Sequence, residues 1–175
     1  MLRILIVEDE DIIRKGLVYT TDWLSMDCVV VAEAANGQEG YEKILEYRPD
    51  VVIADIYMPY LDGIEMIKRA SETVHFKSIL LTSYADFEYA RRAIDARVCE
   101  YLLKPVDEEQ LAEIMKKLGE EIASSRQVEK VMEQAELDGG NMNLEYFMQL
   151  DLSENQYVSR AIGQIRERFG EKLSI

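Results

Sequence analysis

Four short apolar runs each stop on a residue able to do chemistry. Ile4-Leu5-Ile6-Val7 runs into Glu8-Asp9-Glu10-Asp11, Val51-Val52-Ile53-Ala54 stops on Asp55, Ser78 to Leu81 stops on Thr82, and Tyr101-Leu102-Leu103 stops on Lys104-Pro105. If these ends converge, three carboxylates share a small volume with a hydroxyl and an ammonium. Mutual repulsion and partial burial would force protons onto the acids unless cations compensate. Lys104 supplies one positive charge, and an all-oxygen donor set in an open loop favours Mg²⁺ or Mn²⁺ over softer metals. Asp55 could then accept a phosphoryl group, its oxygens neutralised by the metal, by Lys104 and by the Thr82 hydroxyl or a backbone N–H. A charged strand end alone is usually a solvated loop; the four together, in this order, are specific.

The elements that must position these residues follow from periodicity. Through residues 1–122, strand-like runs alternate with helix-period segments, the pattern of repeated βα units around a parallel sheet. Five strands are expected, at Ile4 to Val7, Val29 to Ala32, Val51 to Ala54, Ser78 to Leu81 and Glu100 to Leu103. The first, third and fourth read as continuous apolar runs, as strands covered on both faces do. Right-handed crossovers place all their C-terminal ends on one edge, where open α/β folds bind ligands. Pro59 and Asp62-Gly63 forbid continuation of the third strand beyond Asp55. Asn36, Asp62 and Asp107 are candidate helix N-caps. Leu111, Ile114, Met115, Leu118 and Ile122 give the last helix of this region an apolar stripe, which persists weakly through Val128, Val131, Met132 and Ala135. That extension reads as a solvated helix, with a self-associating helix pair as the alternative. Asp138-Gly139-Gly140-Asn141 is a break. Ser153 could cap a further helix with the stripe Tyr157, Val158, Ala161, Ile162, Ile165 and Phe169, and Gly170 suits its C-terminus. The expected organisation is an α/β domain over 1–122, a linker or helical extension over 123–152, and the opening of an incomplete helical domain over 153–175.

Composition removes several function classes. A formal charge of −14 on 175 residues repels a phosphate backbone, so this chain alone is a poor DNA binder. No apolar run is long enough to cross a bilayer and the N-terminus enters a strand pattern rather than a signal peptide, so a cytoplasmic protein with no membrane partner is expected. Cys28 and Cys99 lack metal-ligand spacing and sit in apolar stretches, which reads as core thiols rather than zinc or a disulfide. His75, the single histidine, lies in a connecting segment and reads as an inert surface residue.

Through ILIVEDE, VVIADIYMPYLDG, ILLTSYADFEYA and EYLLKPVDEEQL, residues from 2 to roughly 122 closely resemble the receiver domain of two-component response regulators. The resemblance implies a flavodoxin-like (βα)5 doubly wound parallel sheet, strand order 2-1-3-4-5, with a C-terminal helical extension. It implies Asp55 as phosphoacceptor from a sensor histidine kinase. Asp9, Asp55 and the backbone carbonyl of Tyr57 would bind Mg²⁺ or Mn²⁺ directly, with Glu8 acting through a water. Lys104 would contact the phosphoryl group, Thr82 and Tyr101 would form a conformational switch, and the Lys104-Pro105 peptide would be cis. Such a domain is not an enzyme in its own right, although it assists its own phosphotransfer and dephosphorylation. The expected response is an altered surface that favours a homodimer. YADFEYA and Trp23 further resemble the subgroup with an AraC-type helix-turn-helix output domain, and RAIGQIRERFGEKLSI looks like that domain's opening helix. DNA would be reached only through the remainder of such a domain, which this sequence does not contain. Two departures stand out: Ser83 occupies a position usually held by Ala or Gly, and Tyr57 and Tyr84 would rim the pocket, restrict the attacking water and lengthen the life of the phosphorylated state.

Rival classes fit less well. A flavin carrier would need a Ser/Thr/Gly-rich phosphate loop where Glu8 to Asp11 stand. A metal-dependent phosphatase would commonly pair Asp55 with an Asp two positions on, where Tyr57 stands. A phosphorylation-independent interaction module has no use for the complete acid, Thr and Lys set.

Overall fold

The computed structural model describes residues 1–83 and 98–137, with side chains through residue 130. Five parallel strands, β1 (Leu2–Val7), β2 (Cys28–Ala34), β3 (Val51–Asp55), β4 (Lys77–Thr82) and β5 (Glu100–Leu103), form one sheet in the order β2-β1-β3-β4-β5. This is the flavodoxin-like arrangement expected. The three central strands are the three uniformly apolar runs, and β3 is buried at every position. At the edges β2 and β5 are only partly buried, and β2 extends on both sides of the expected run because a flank that faces solvent tolerates Glu33.

Among the described residues four helices accompany the sheet: α1 (Asp11–Thr20), α2 (Gly37–Tyr47), α3 (Gly63–Ser71) and α4 (Glu108–Leu137). The three expected caps form. Asn36 accepts from the Glu39 N–H at 2.9 Å, Asp62 from Glu65 at 2.8 Å and Asp107 from Gln110 at 2.8 Å, each satisfying an N–H the helix cannot. α1 differs: Glu10 stands at its N-cap and makes no side-chain capping bond. Ile44, Ile64, Met66 and Ile67 from α2 and α3 join Leu5, Val7, Val52, Ala54 and Leu80 of the sheet in a buried core. α4 buries Leu111, Met115 and Leu118, while Ile114 and Ile122 stay half-buried. Trp23 is buried after α1, its Nε1–H donating to the Leu17 carbonyl at 2.8 Å. On β2 the Lys43 ammonium donates to the Glu33 carbonyl.

The chain divides into two compact units, Met1–Leu118 and Gly119–Ile175. Among the described residues no helix is long and apolar enough to cross a membrane. Tyr84 and the rest of YADFEYA, the Asp138 to Asn141 break and the Ser153 to Gly170 helix lie outside the described residues, as do the side chains of Val131, Met132 and Ala135.

Candidate functional site

Strand register brings the charged ends together. Val7 pairs with Ala54, Asp55 with Leu81, and Thr82 with Leu103, so the residues that follow β1 and β5 emerge at the level of Asp55. Behind Asp55 the chain turns sharply. The Ile56 N–H donates to the Leu81 carbonyl at 3.2 Å and the Gly63 N–H to the Ile56 carbonyl at 3.0 Å. A Cβ on Gly63 would lie 2.0 Å from the Asp55 carbonyl oxygen, so only glycine lets this loop close.

Asp55 is 6% exposed at the end of the central strand, and Glu8 is fully buried beside it. The Asp55 carboxylate accepts from the Ile56 N–H at 2.6 Å through Oδ1 and from Lys104 Nζ at 2.8 Å through Oδ2. Lys104 is held over the acids by its own N–H, which donates to the Thr82 carbonyl at 2.7 Å. Its ammonium also lies 2.7 Å from Glu8 Oε2. That approach is off the angle of a hydrogen bond, so Oε2 is compensated by charge yet has no directional donor among the described residues. Asp9, exposed, completes the group: Glu8, Asp9 and Asp55 each present a carboxylate oxygen within 4.8 Å of the others. The Lys104-Pro105 peptide is cis.

Burial pushes the Glu8 carboxyl above its ordinary range, with the adjacent Lys104 ammonium pulling the other way and the Asp55 charge adding to the rise. For Lys104, burial favours loss of the proton, but the bond to Asp55 and the close Glu8 carboxylate outweigh it and the proton is held more tightly than usual. Three carboxylates against one ammonium leave an excess of two negative charges if all are ionised. An all-carboxylate donor set with that excess, and with one buried oxygen lacking a directional partner, fits a hard divalent cation.

The other expected site residues are placed as follows. Thr82 is buried at the end of β4, adjacent in the sheet to the Asp55 strand. Ser83 is exposed, and Tyr57 is 47% exposed. Tyr101, half-buried on β5, packs against the core cluster. His75 is exposed, and both cysteines are free thiols, Cys28 buried and pushed up to about 11 mainly by that burial. Sequence reasoning missed Arg14, whose guanidinium reaches the Glu8 carbonyl, and Tyr60, 90% exposed at a φ of 70° in the loop after Asp55.

Residues 4–116 match the response regulator receiver domain family. The chain belongs to that family. Receivers of this family are signalling phosphoacceptors, generally non-enzymatic, that bind Mg²⁺ at an acidic pocket, interact with histidine kinases and often dimerise. The transcriptional regulatory protein HptR of Staphylococcus aureus (strain NCTC 8325) is 31% identical over 179 residues, a match covering all of this chain and 67% of HptR. The uncharacterized transcriptional regulatory protein YesN of Bacillus subtilis (strain 168) is 41% identical over 114 residues, 63% of this chain and 30% of YesN. Among solved structures, the REC domain of AraT, a response regulator from Geobacillus stearothermophilus, superposes with a TM-score of 0.66 at 39% identity, covering 71% of this chain and 98% of that one. A LuxR-family DNA-binding response regulator from Staphylococcus aureus gives 0.61 at 29% identity, covering 67% and 98%.

Proposed function

We propose that this receiver is a switch set by phosphorylation of Asp55, with the phosphohistidine of a sensor histidine kinase as donor. The observation that carries the reading is one ammonium, Lys104, within 2.8 Å of two buried carboxylates, Glu8 and Asp55, at the end of the central strand. Asp9, Asp55 and the Tyr57 backbone carbonyl would hold Mg²⁺ (or Mn²⁺), with Glu8 acting through a water. When bound, the cation supplies charge neutralisation for the transferring phosphoryl oxygens. An Asp55 carboxylate oxygen forms the new bond to phosphorus as the P–N bond breaks, and the imidazole keeps the electron pair. Lys104, already aimed at Asp55, contacts the phosphoryl group.

The modified Asp55 gains charge and acceptor oxygens, toward which the Thr82 hydroxyl turns, and Tyr101 follows inward. Ser83 adds a hydroxyl at the pocket rim and alters phosphoryl entry, while Tyr57, and Tyr84 by its sequence position, would restrict the attacking water and slow hydrolysis. The altered surface runs over β5, the start of α4 and the segment between β4 and β5, and favours a homodimer. Residues 1–122 form the receiver, 123–152 link it to what it controls, and 153–175 open an AraC-type DNA-binding output domain. The match to HptR, named a transcriptional regulatory protein, over the whole chain supports a transcriptional read-out; the cytoplasm is the compartment proposed for it. DNA contact belongs to that output domain, since this chain carries a net charge of −14.

Incubation with acetyl phosphate and Mg²⁺ followed by intact-mass spectrometry tests the reading. One phosphate adduct is expected on the wild type and none on Asp55→Asn; no adduct with any donor would overturn it. Solution mass with and without phosphorylation tests the dimer.

A further inference from the structure

We propose that Arg14 is a positioning residue for the acidic pair, acting through the main-chain carbonyl of Glu8. The inference rests on the reading of the site as a divalent-cation and phosphoacceptor centre. Arg14 lies on α1, its side chain 12% exposed, and its guanidinium engages three segments at once. Nη1 donates to the Glu8 carbonyl at 2.7 Å, Nη2 to Asp11 Oδ1 at 2.6 Å, and Nε to Glu33 Oε2 on β2 at 3.1 Å. The Glu8 N–H meanwhile donates to the Ala34 carbonyl at 3.0 Å. Both peptide groups of Glu8 are therefore held, one by the sheet and one by Arg14. The peptide that Arg14 grips is the one joining Glu8 to Asp9, so its tilt aims both carboxylates.

A second observation gives Arg14 this task. Among the described residues α2, α3 and α4 begin on a side-chain cap that fixes the approach of the chain, whereas α1 begins on Glu10 with none. Among the described residues the side chains of the acidic turn at 8–10 have one local restraint, a long 3.4 Å bond from the Glu10 N–H to Glu8 Oε1. Restraint comes instead from inside the helix, through a rigid planar fork that can serve three acceptors in fixed directions. A lysine ammonium at the same place keeps the charge but not the fork.

A clamp that merely held α1 to the sheet would alter stability alone. A positioning residue alters cation affinity, and changes in groups that orient metal ligands typically weaken binding about 10- to 100-fold. The full 175-residue chain is titrated with Mn²⁺, free ion being counted by electron paramagnetic resonance, with Mg²⁺ as competitor. Arg14→Lys is expected to raise the Mn²⁺ Kd about tenfold. The Mg²⁺ concentration for half-maximal acetyl-phosphate labelling should rise in parallel, with the labelling rate at saturating Mg²⁺ little changed. Glu33→Gln, which removes one anchor of the fork and leaves the Glu8 bond, should keep the Kd within about twofold while lowering the melting temperature. Wild-type binding with an unchanged Kd in folded Arg14→Lys overturns this inference alone; a wild type that binds no Mn²⁺ overturns the site reading beneath it as well. Should Arg14→Lys fail to fold, Glu33→Gln and Asp11→Asn decide: a tenfold loss of affinity in either would make the fork a general clamp and sink the proposal.

Discussion

α1 and α3 both start just past a strand end that bears carboxylates, yet they are fixed by opposite means. On the β3 side the chain is held by local devices: the Asp62 cap, and Gly63 lying against the Asp55 carbonyl. On the β1 side α1 has no side-chain cap, and the Glu8 carbonyl accepts from Arg14 within the helix, whose guanidinium is in turn braced by Glu33 on β2. The β3 side presents a single, nearly buried acceptor that must stand in one place. The β1 side presents two acids of unlike exposure, Glu8 buried and Asp9 open, whose mutual direction matters more than the position of either.

The largest expected effect comes from cutting the link between the two sides. Lys104→Met leaves Glu8 and Asp55 as buried carboxylates without their cation, and breaking such a pair costs about 3–5 kcal/mol, to be read by urea unfolding at neutral pH without divalent ions. The same pair has a pH signature. Because the folded Glu8 carboxyl holds its proton more tightly than the unfolded one, its contribution is fully present below the ordinary value of 4.5 and is lost as pH rises through the folded pKa. The stability of wild type relative to Glu8→Gln should therefore fall with rising pH over that window in metal-free buffer; a flat difference would argue against burial of the charge.

Breaking the β3 side alone is expected to cost less. Gly63→Ala drives a methyl group into the Asp55 carbonyl and should destabilise by about 2–3 kcal/mol, the upper part of the usual overpacking range, while slowing acetyl-phosphate labelling. The smallest pair sharpens the contrast most directly. Asp62→Ala should cost about 1 kcal/mol, the usual value of a lost cap, whereas Glu10→Ala should stay within about 0.5 kcal/mol because no capping bond exists to lose.

The same contrast explains what could be read from sequence. The five strands, their order and the caps at Asn36, Asp62 and Asp107 depend on local pattern or on a family resemblance, and the sheet and caps formed as expected. Bringing Glu8, Asp9, Asp55 and Lys104 to one edge required only parallel topology. The complete burial of Glu8 was hidden, since a run of four acids reads as a solvated turn. Arg14 was hidden more deeply. Its Asp11 contact has ordinary helical spacing, but Glu33 lies nineteen residues away, and the decisive acceptor is a backbone carbonyl that leaves no trace in residue type.

The bond from Lys43 to the Glu33 carbonyl bears on association between chains. Carbonyls alternate in direction along a strand, and that of Ala34 faces β1, where it accepts from Glu8. The Glu33 carbonyl therefore faces outward along the free margin of β2, where another strand could add and begin aggregation. A lysine ammonium occupying that acceptor, with the Glu33 carboxylate drawn to Arg14, makes the margin charged and partly spoken for. The Glu33 carboxylate that braces Arg14 thus belongs to a residue whose carbonyl is already taken at this margin of the sheet.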